Sequence, residues 1–173
     1  MYKRQTLSVA TKEGEIAETV LPDLPSIGAS VPMLEGAALY HEDGYYEAFD
    51  LIGADISKLN EINPPRLADG GEITDFSGNK VILPDRFTSK YGIEAGDTIT
   101  LQIGGQPVSL EVAAVAAYDT VFLRHTRGTT ALLPLETLSG LLGKTDGYSE
   151  ILVEPAEGTS TSKLKSELSA ILP

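Results

Sequence analysis

KVILPDRFTSKYGIEAGDTITL, Lys80 to Leu101, changes its hydrophobic period twice within one short stretch. Val81, Ile82 and Leu83 form a continuous apolar run, which predicts a short buried strand. Pro84 follows at a position where a helix can begin, since its missing N–H would be unpaired there in any case. Phe87 and Tyr91 stand four apart, on one face of a helix, and Gly92 supplies the left-handed residue that ends it. After a Gly96-Asp97 turn, Ile99, Leu101 and Ile103 alternate with Thr98, Thr100 and Gln102, the pattern of a half-buried strand. Asp97 is placed to accept backbone N–H bonds within that turn, so Gly92, Gly96 and Asp97 are read as structural turn residues.

Working outward toward the C-terminus, GGQP (104–107) turns the chain, and Val108, Leu110 and Val112 return in alternation with Ser109 and Glu111. Val121–Leu123 and Thr129–Leu133 read as two short strands around a basic RHTRG loop. PLETLSGLLG (134–143) predicts a short helix with Leu138, Leu141 and Leu142 at core spacing. EILVE (150–154) is a further strand, and SKLKSELSAIL (162–172) a final helix burying Leu164, Leu168, Ile171 and Leu172 along one stripe.

Toward the N-terminus, ISKLNEI (56–62) predicts a helical turn or two with Ile56, Leu59 and Ile62 on one side, followed by a loop, NPPRLADGG. Residues 29–34 read as extended. Ala37–His41 and Tyr45–Ile52 read as a hairpin turning on Asp43-Gly44. EGEIAETVL (13–21) suits a short helix that Pro22 and Pro25 stop. The basic start MYKRQ (1–5) contrasts with the acidic stretch beyond it and is set aside as non-native in character.

The chain has 173 residues, 42% hydrophobic and 22% charged, a composition typical of folding globular sequences. A chain of about this length buries roughly 70% of its unfolded surface, enough for a core without covalent staples. No cysteine is present, which excludes disulfides, thiolate nucleophiles and cysteine-held metals. The formal net charge is −12, from 25 acidic and 13 basic residues. Ten carboxylates lie between Glu13 and Asp55 with no lysine or arginine among them. Such a field repels phosphate backbones and anionic lipid surfaces, and its simplest reading is a solvated acidic face. The longest apolar run, VAAVAAY (112–118), ends at Asp119, far short of the roughly 18 residues a membrane span requires. No leader peptide is expected, because no apolar segment with a small-residue cleavage site comes after MYKRQ.

Chemistry-bearing motifs are sparse. Gly143-Lys144-Thr145 lacks the upstream glycine of a phosphate loop, since Leu138 stands in its place, and a helix precedes it where a strand is needed. His41 has no second imidazole at ligand spacing, and His125 lies between Arg124 and Arg127, whose charge discourages metal binding. No serine sits in a nucleophile elbow, and carboxylate pairs for acid–base work depend on spatial separation. No catalytic residue, cofactor or metal ligand is assigned. Tyr40, Tyr45, Tyr46 and Phe49 form the densest aromatic cluster, suited either to packing in a hairpin or to a protein contact.

The order of these features resembles one family. The strand end DLIGAD (50–55), the stretch KVILPDRFTSKYGIEAGDTITL, the returning VSLEVAAVAA and the later LLPLETLSGLL are similar to the extracytoplasmic domain of FtsX-like ABC transporter permeases, the MacB-like periplasmic core domain. Val81–Leu83, Phe87–Tyr91, Gly92, Gly96 and Asp97 carry the signature. The resemblance implies an α+β fold with a porter-like α/β subdomain, residues 6–50 and 143–173. Inserted between them, residues 51–142 would be a small α/β extension of mixed strands and short helices. It further implies a noncatalytic domain on the extracytoplasmic face of a bacterial membrane, between two transmembrane helices of a permease. A cytoplasmic ABC ATPase would drive it through those helices, a peptide, lipid or protein cargo would be its partner, and the permease would be a dimer. Tyr40, Glu42, Asp43, Tyr45 and Tyr46 are the expected partner surface. Two alternatives stand beside it: a small β-barrel binding domain of transcription-factor type, and a soluble hydrolase using carboxylates.

Overall fold

A computed structural model describes residues 7–10, 24–42, 44–62, 64–73, 75–119, 122, 128–143 and 147–171. In chain order the elements are β1 (Leu7–Val9), β2 (Ile27–Glu42), β3 (Tyr45–Ala54), α1 (Ile56–Ile62), β4 (Lys80–Pro84), α2 (Asp85–Tyr91), β5 (Thr98–Ile103), β6 (Gln106–Ala116), β7 (Thr129–Pro134), α3 (Leu135–Leu142), β8 (Glu150–Pro155) and α4 (Thr161–Ile171). The predicted helix at 13–21, the RHTRG loop up to Arg127, and Lys144-Thr145 lie outside the described residues.

The eight strands form one mixed sheet in the order β1-β8-β2-β3-β7-β4-β6-β5, and β5 also pairs with β2 through Ala38↔Ile103 and Leu39↔Gln102. Six strands thus close into a ring, while β8 and β1 continue the sheet outside it. Closure is possible because β2 is 16 residues long and divides its ladder. Its first half pairs with β8, from Ile27↔Pro155 to Met33↔Glu150, and its second half pairs with β3, from Met33↔Ala54 to Glu42↔Tyr45. The expected break between residues 34 and 37 is absent, so the two predicted extended segments are one strand.

Strand chemistry follows position in the ring. β3 with β7 and β4 with β6 run parallel, and β4 with β7 antiparallel. The middle strands are covered on both faces, as parallel strands commonly are. Val81 and Leu83 point into the ring core with Leu51, Phe87, Leu101, Leu110 and Leu133. Ile82 and Leu132 point outward into a second core with Ile52, Ile56, Leu59 and Phe122. This explains the unbroken apolar triplets in β4 and β7. β5 is covered on one face only, and its buried Ile99, Leu101 and Ile103 alternate with exposed Thr98, Thr100 and Gln102. A third cluster, Val9, Ile151, Val153, Leu164 and Leu168, packs α4 on β1 and β8.

Strand–helix passages repeat at three places. β4 ends on Pro84 (φ −73°, ψ 147°) and β7 on Pro134 (φ −57°, ψ 141°), each extended residue preceding the first helical one. Pro84 is therefore the last strand residue, and Asp85 opens the helix. Both helices stop at a left-handed glycine, Gly92 (φ 65°) and Gly143 (φ 68°), as residues without a Cβ do at small cost. At the third passage Asp55 replaces proline, and its Oδ1 accepts from the Ser57 N–H at 2.9 Å and from the Ser57 hydroxyl at 2.6 Å.

Two expectations are corrected, and one strand is added. Phe122 lies in a 3-10 turn, its N–H donating to the Asp119 carbonyl, and not in a strand; it is buried in the second core. Ile171 is 49% exposed, so the stripe of α4 is narrower than its apolar spacing suggests. β1 carries too few residues to show a period and was not anticipated.

Candidate functional site

The Gly96-Asp97 turn is a clamp between strands. Gly96 N–H donates to the Val112 carbonyl at 2.8 Å, Val112 N–H returns to the Asp97 carbonyl at 2.8 Å, and Asp97 Oδ2 accepts from the Glu94 N–H at 2.8 Å. With φ 97° at Gly96, the turn needs a residue that tolerates left-handed backbone. These groups satisfy one another within the turn.

At the C-terminal end of β2, the hairpin tip presents chemistry. The register pairs Tyr40 with Glu47, His41 with Tyr46 and Glu42 with Tyr45. Directly paired residues share a face, so the tip has two distinct sides. On the outer side, His41 and Tyr46 stack, ring centroids 4.3 Å apart and planes 19° apart, and Leu39 is 46% exposed beside them. Tyr45 and Tyr46 are 71% and 70% exposed.

On the inner side the tip leans over the last turn of α2. Tyr40 is buried, edge-on to Phe87 and Tyr91 at 5.0 Å each and to Phe49 at 6.5 Å. Such edge-to-face pairs contribute about 0.5–1.5 kcal/mol each beyond their buried area. The Tyr40 hydroxyl donates to Glu42 Oε2, which fixes the carboxylate at the rim. Lys90 Nζ stands 5.1 Å from the centre of the Tyr91 ring and 3.8 Å from Glu47 Oε1. That oxygen also accepts from the Thr129 hydroxyl at 3.2 Å, while buried Oε2 of Glu47 has no hydrogen-bond partner among the described residues. The Tyr91 side chain first, and the Glu47 charge second, hold the Lys90 ammonium above the ordinary lysine value. Between these groups lies a recess of about 410 Å3 lined by Glu42, Tyr45, Lys90 and Tyr91.

The structure thus brings together Tyr40, Glu42, Tyr45 and Tyr46 at one tip, with Tyr40 as packing and the other two tyrosines facing solvent. Asp43 lies outside the described residues. Glu47, Lys90 and Tyr91 complete the site and were missed. Their only sequence signal is the Lys90-Tyr91 pair at the end of a predicted helix, and nothing local says that the hairpin covers it.

A second recess, about 360 Å3, opens at the starts of α1 and α3 and includes Asp55, Asp75 and Glu136. Asp55 is committed to capping, and the Ser57 hydroxyl bond lowers its pKa below the ordinary carboxylate value of 3.8. Among the described residues no group of three or more His, Cys, Asp or Glu side chains converges on a metal-sized site, and no helix is long and apolar enough to cross a membrane.

This fold is similar to that of solved extracytoplasmic domains of ABC-type transporters. The particular structures it matches include the extracellular domain of the noncanonic ABC-type transporter YknZ from Gram-positive bacteria, with TM-score 0.65 and 19% identity over 98% of this chain and 91% of that one. The periplasmic region of MacB from Actinobacillus actinomycetemcomitans matches with TM-score 0.61 and 14% identity, over 86% of this chain and 67% of that one. A domain of a putative permease protein from Porphyromonas gingivalis matches with TM-score 0.60 and 15% identity, over 98% of this chain and 76% of that one. No family model and no curated protein sequence matches the chain.

Proposed function

We propose that this chain is the noncatalytic extracytoplasmic domain of an ABC transporter permease, which passes conformational work done by a cytoplasmic ATPase to a cargo or partner outside the membrane. The observation that carries this reading is the fit of nearly the whole chain to the YknZ extracellular domain. The division into a porter-like part, 6–50 with 143–173, and an extension, 51–142, belongs to the same proposal, with β2 and β3 as the joint between them. The packing suits a relay. Three cores share one continuous sheet, so a displacement at one end strains hydrogen-bonded strands and does not dissipate in loops.

The contact surface in this proposal is the hairpin tip, Glu42, Asp43, Tyr45 and Tyr46; the expected fifth member, Tyr40, is buried and supports the tip from beneath. Tyrosines are enriched at interfaces because each offers a large, rigid, amphipathic surface. The closed ring is an architecture that small-barrel binding domains also use, but a net charge of −12 works against phosphate contacts.

The chain holds no cysteine, so a spin label on Tyr46→Cys in the full-length permease would be unique within this domain. The expected result is a change in label mobility or distance between the nucleotide-free and ATP-trapped states in membranes, together with loss of partner capture in Tyr45→Ser/Tyr46→Ser. A label insensitive to nucleotide, with capture intact, overturns the reading.

A further inference from the structure

The recess under the hairpin tip has the composition of a cation site. Among the described residues, two phenol rings, Tyr45 and Tyr91, one carboxylate, Glu42, and one cation, Lys90, line it. Lys90 already places its ammonium over the Tyr91 ring and within ion-pair distance of Glu47. The protein's own side chain thereby shows that a positive charge is accommodated here. Its hold is loose, because the Lys90 side chain is 61% exposed and an exposed ion pair or ring contact is weak. Glu42 is oriented toward the recess by the Tyr40 hydroxyl and has no share in the Lys90–Glu47 pair.

Resting on the reading of the tip as a contact surface, we propose that this recess receives a lysine or arginine side chain of a protein partner, which takes the Tyr91 ring face from Lys90 and pairs with Glu42. A guanidinium suits it best, since its plane stacks on tyrosine faces while its fork meets a carboxylate. Charge selects the occupant: a chain of net charge −12 attracts a basic segment and repels a second copy of itself. Lys90 acts as an internal placeholder, which keeps Glu47 and the ring face paired until a better-matched cation displaces it.

The test uses the 173-residue chain, isotopically labelled, and two peptides, acetyl-Gly-Arg-Gly-Arg-Gly-amide and the same peptide with citrulline for arginine. The expected result is saturable shift changes greatest at Tyr45, Lys90 and Tyr91 for the arginine peptide, with citrulline much weaker. Glu42→Gln weakens binding about twofold to fivefold, the scale of an exposed ion pair. Lys90→Ala tightens it, while Lys163→Ala, which removes the same charge from α4, does so far less. Equal responses to the two peptides, shifts spread over the acidic surface without a maximum at the recess, or no gain from Lys90→Ala each overturn the proposal. If the arginine peptide fails while Tyr45→Ser/Tyr46→Ser still abolishes partner capture, the cation inference falls and the contact surface stands. If the peptide binds at the recess and those variants capture the partner normally, the contact-surface reading falls instead.

Discussion

Gly53 lies directly beneath Leu138: a Cβ on the glycine would come 2.9 Å from both Cβ and Cδ2 of the leucine. α3 rests on β3 at this point of closest approach, and Leu138 is fully buried there. Gly53→Ala must displace the helix, and overpacking of this kind costs about 1–3 kcal/mol. Urea denaturation measures it. Leu138→Ala in the same chain removes the Cδ2 clash and leaves only the Cβ contact, so the double variant is expected to be more stable than the sum of the two single losses predicts.

Two glycines near helix ends should respond in opposite directions. Gly92, at φ 65°, ends α2, and Gly92→Ala forces an L-residue into left-handed backbone at a cost of about 1–2 kcal/mol. Gly140 lies inside α3 with nothing among the described residues within 4 Å of the place an added methyl group would take, so Gly140→Ala is expected to stabilise by about 0.5–1 kcal/mol. Thermal melting of the pair side by side checks both signs.

Asp55 caps α1 through Ser57, and its pKa is lowered on folding, first by the Ser57 hydroxyl bond. Its contribution to stability is therefore present above the ordinary value of 3.8 and disappears as pH falls through the lower folded value. Asp55→Ala should cost about 0.5–2 kcal/mol at neutral pH. Asp55→Asn keeps the cap but should flatten the acid limb of a stability-versus-pH curve below pH ~4.

Phe87 joins α2 to the hairpin, its ring 4.8 Å from Phe49, 4.9 Å from Tyr91 and 5.0 Å from Tyr40. Phe87→Ala is expected to lose about 3–5 kcal/mol, whereas Tyr46→Ser, at a 70% exposed position, should change stability by no more than about 0.5 kcal/mol. Denaturant midpoints separate the two; similar losses would contradict the division of the tyrosine cluster into packing and surface.

The elements between Lys80 and Ile103 were legible because their punctuation is local: a proline, a left-handed glycine and a Gly-Asp turn each act within a few residues. β2 was not legible as one strand, since Gly36 imitates a break. Gly36 instead makes room for Leu142, and Pro32 sits in the ladder opposite Ile151. Ring closure by Leu39↔Gln102 joins residues far apart in sequence and leaves no local mark. The site shows the same limit. Its tyrosines and Glu42 could be named from the hairpin, but the inward turn of Tyr40 and the partnership with Lys90 and Tyr91 come from α2 packing beneath that hairpin.

β2 is a single strand from the α4 layer to the tip, with one register shift between Ile27 and Ala29, and at ~3.3 Å per residue its 16 residues have a contour of roughly 50 Å. A beam of that length converts small angles into large excursions. A tilt of about ten degrees at its root sweeps the far end through about 9 Å, by the same rise per residue. The exposed tyrosines ride at the end of a splint, so their position reports on orientation at the other end without any loop having to move.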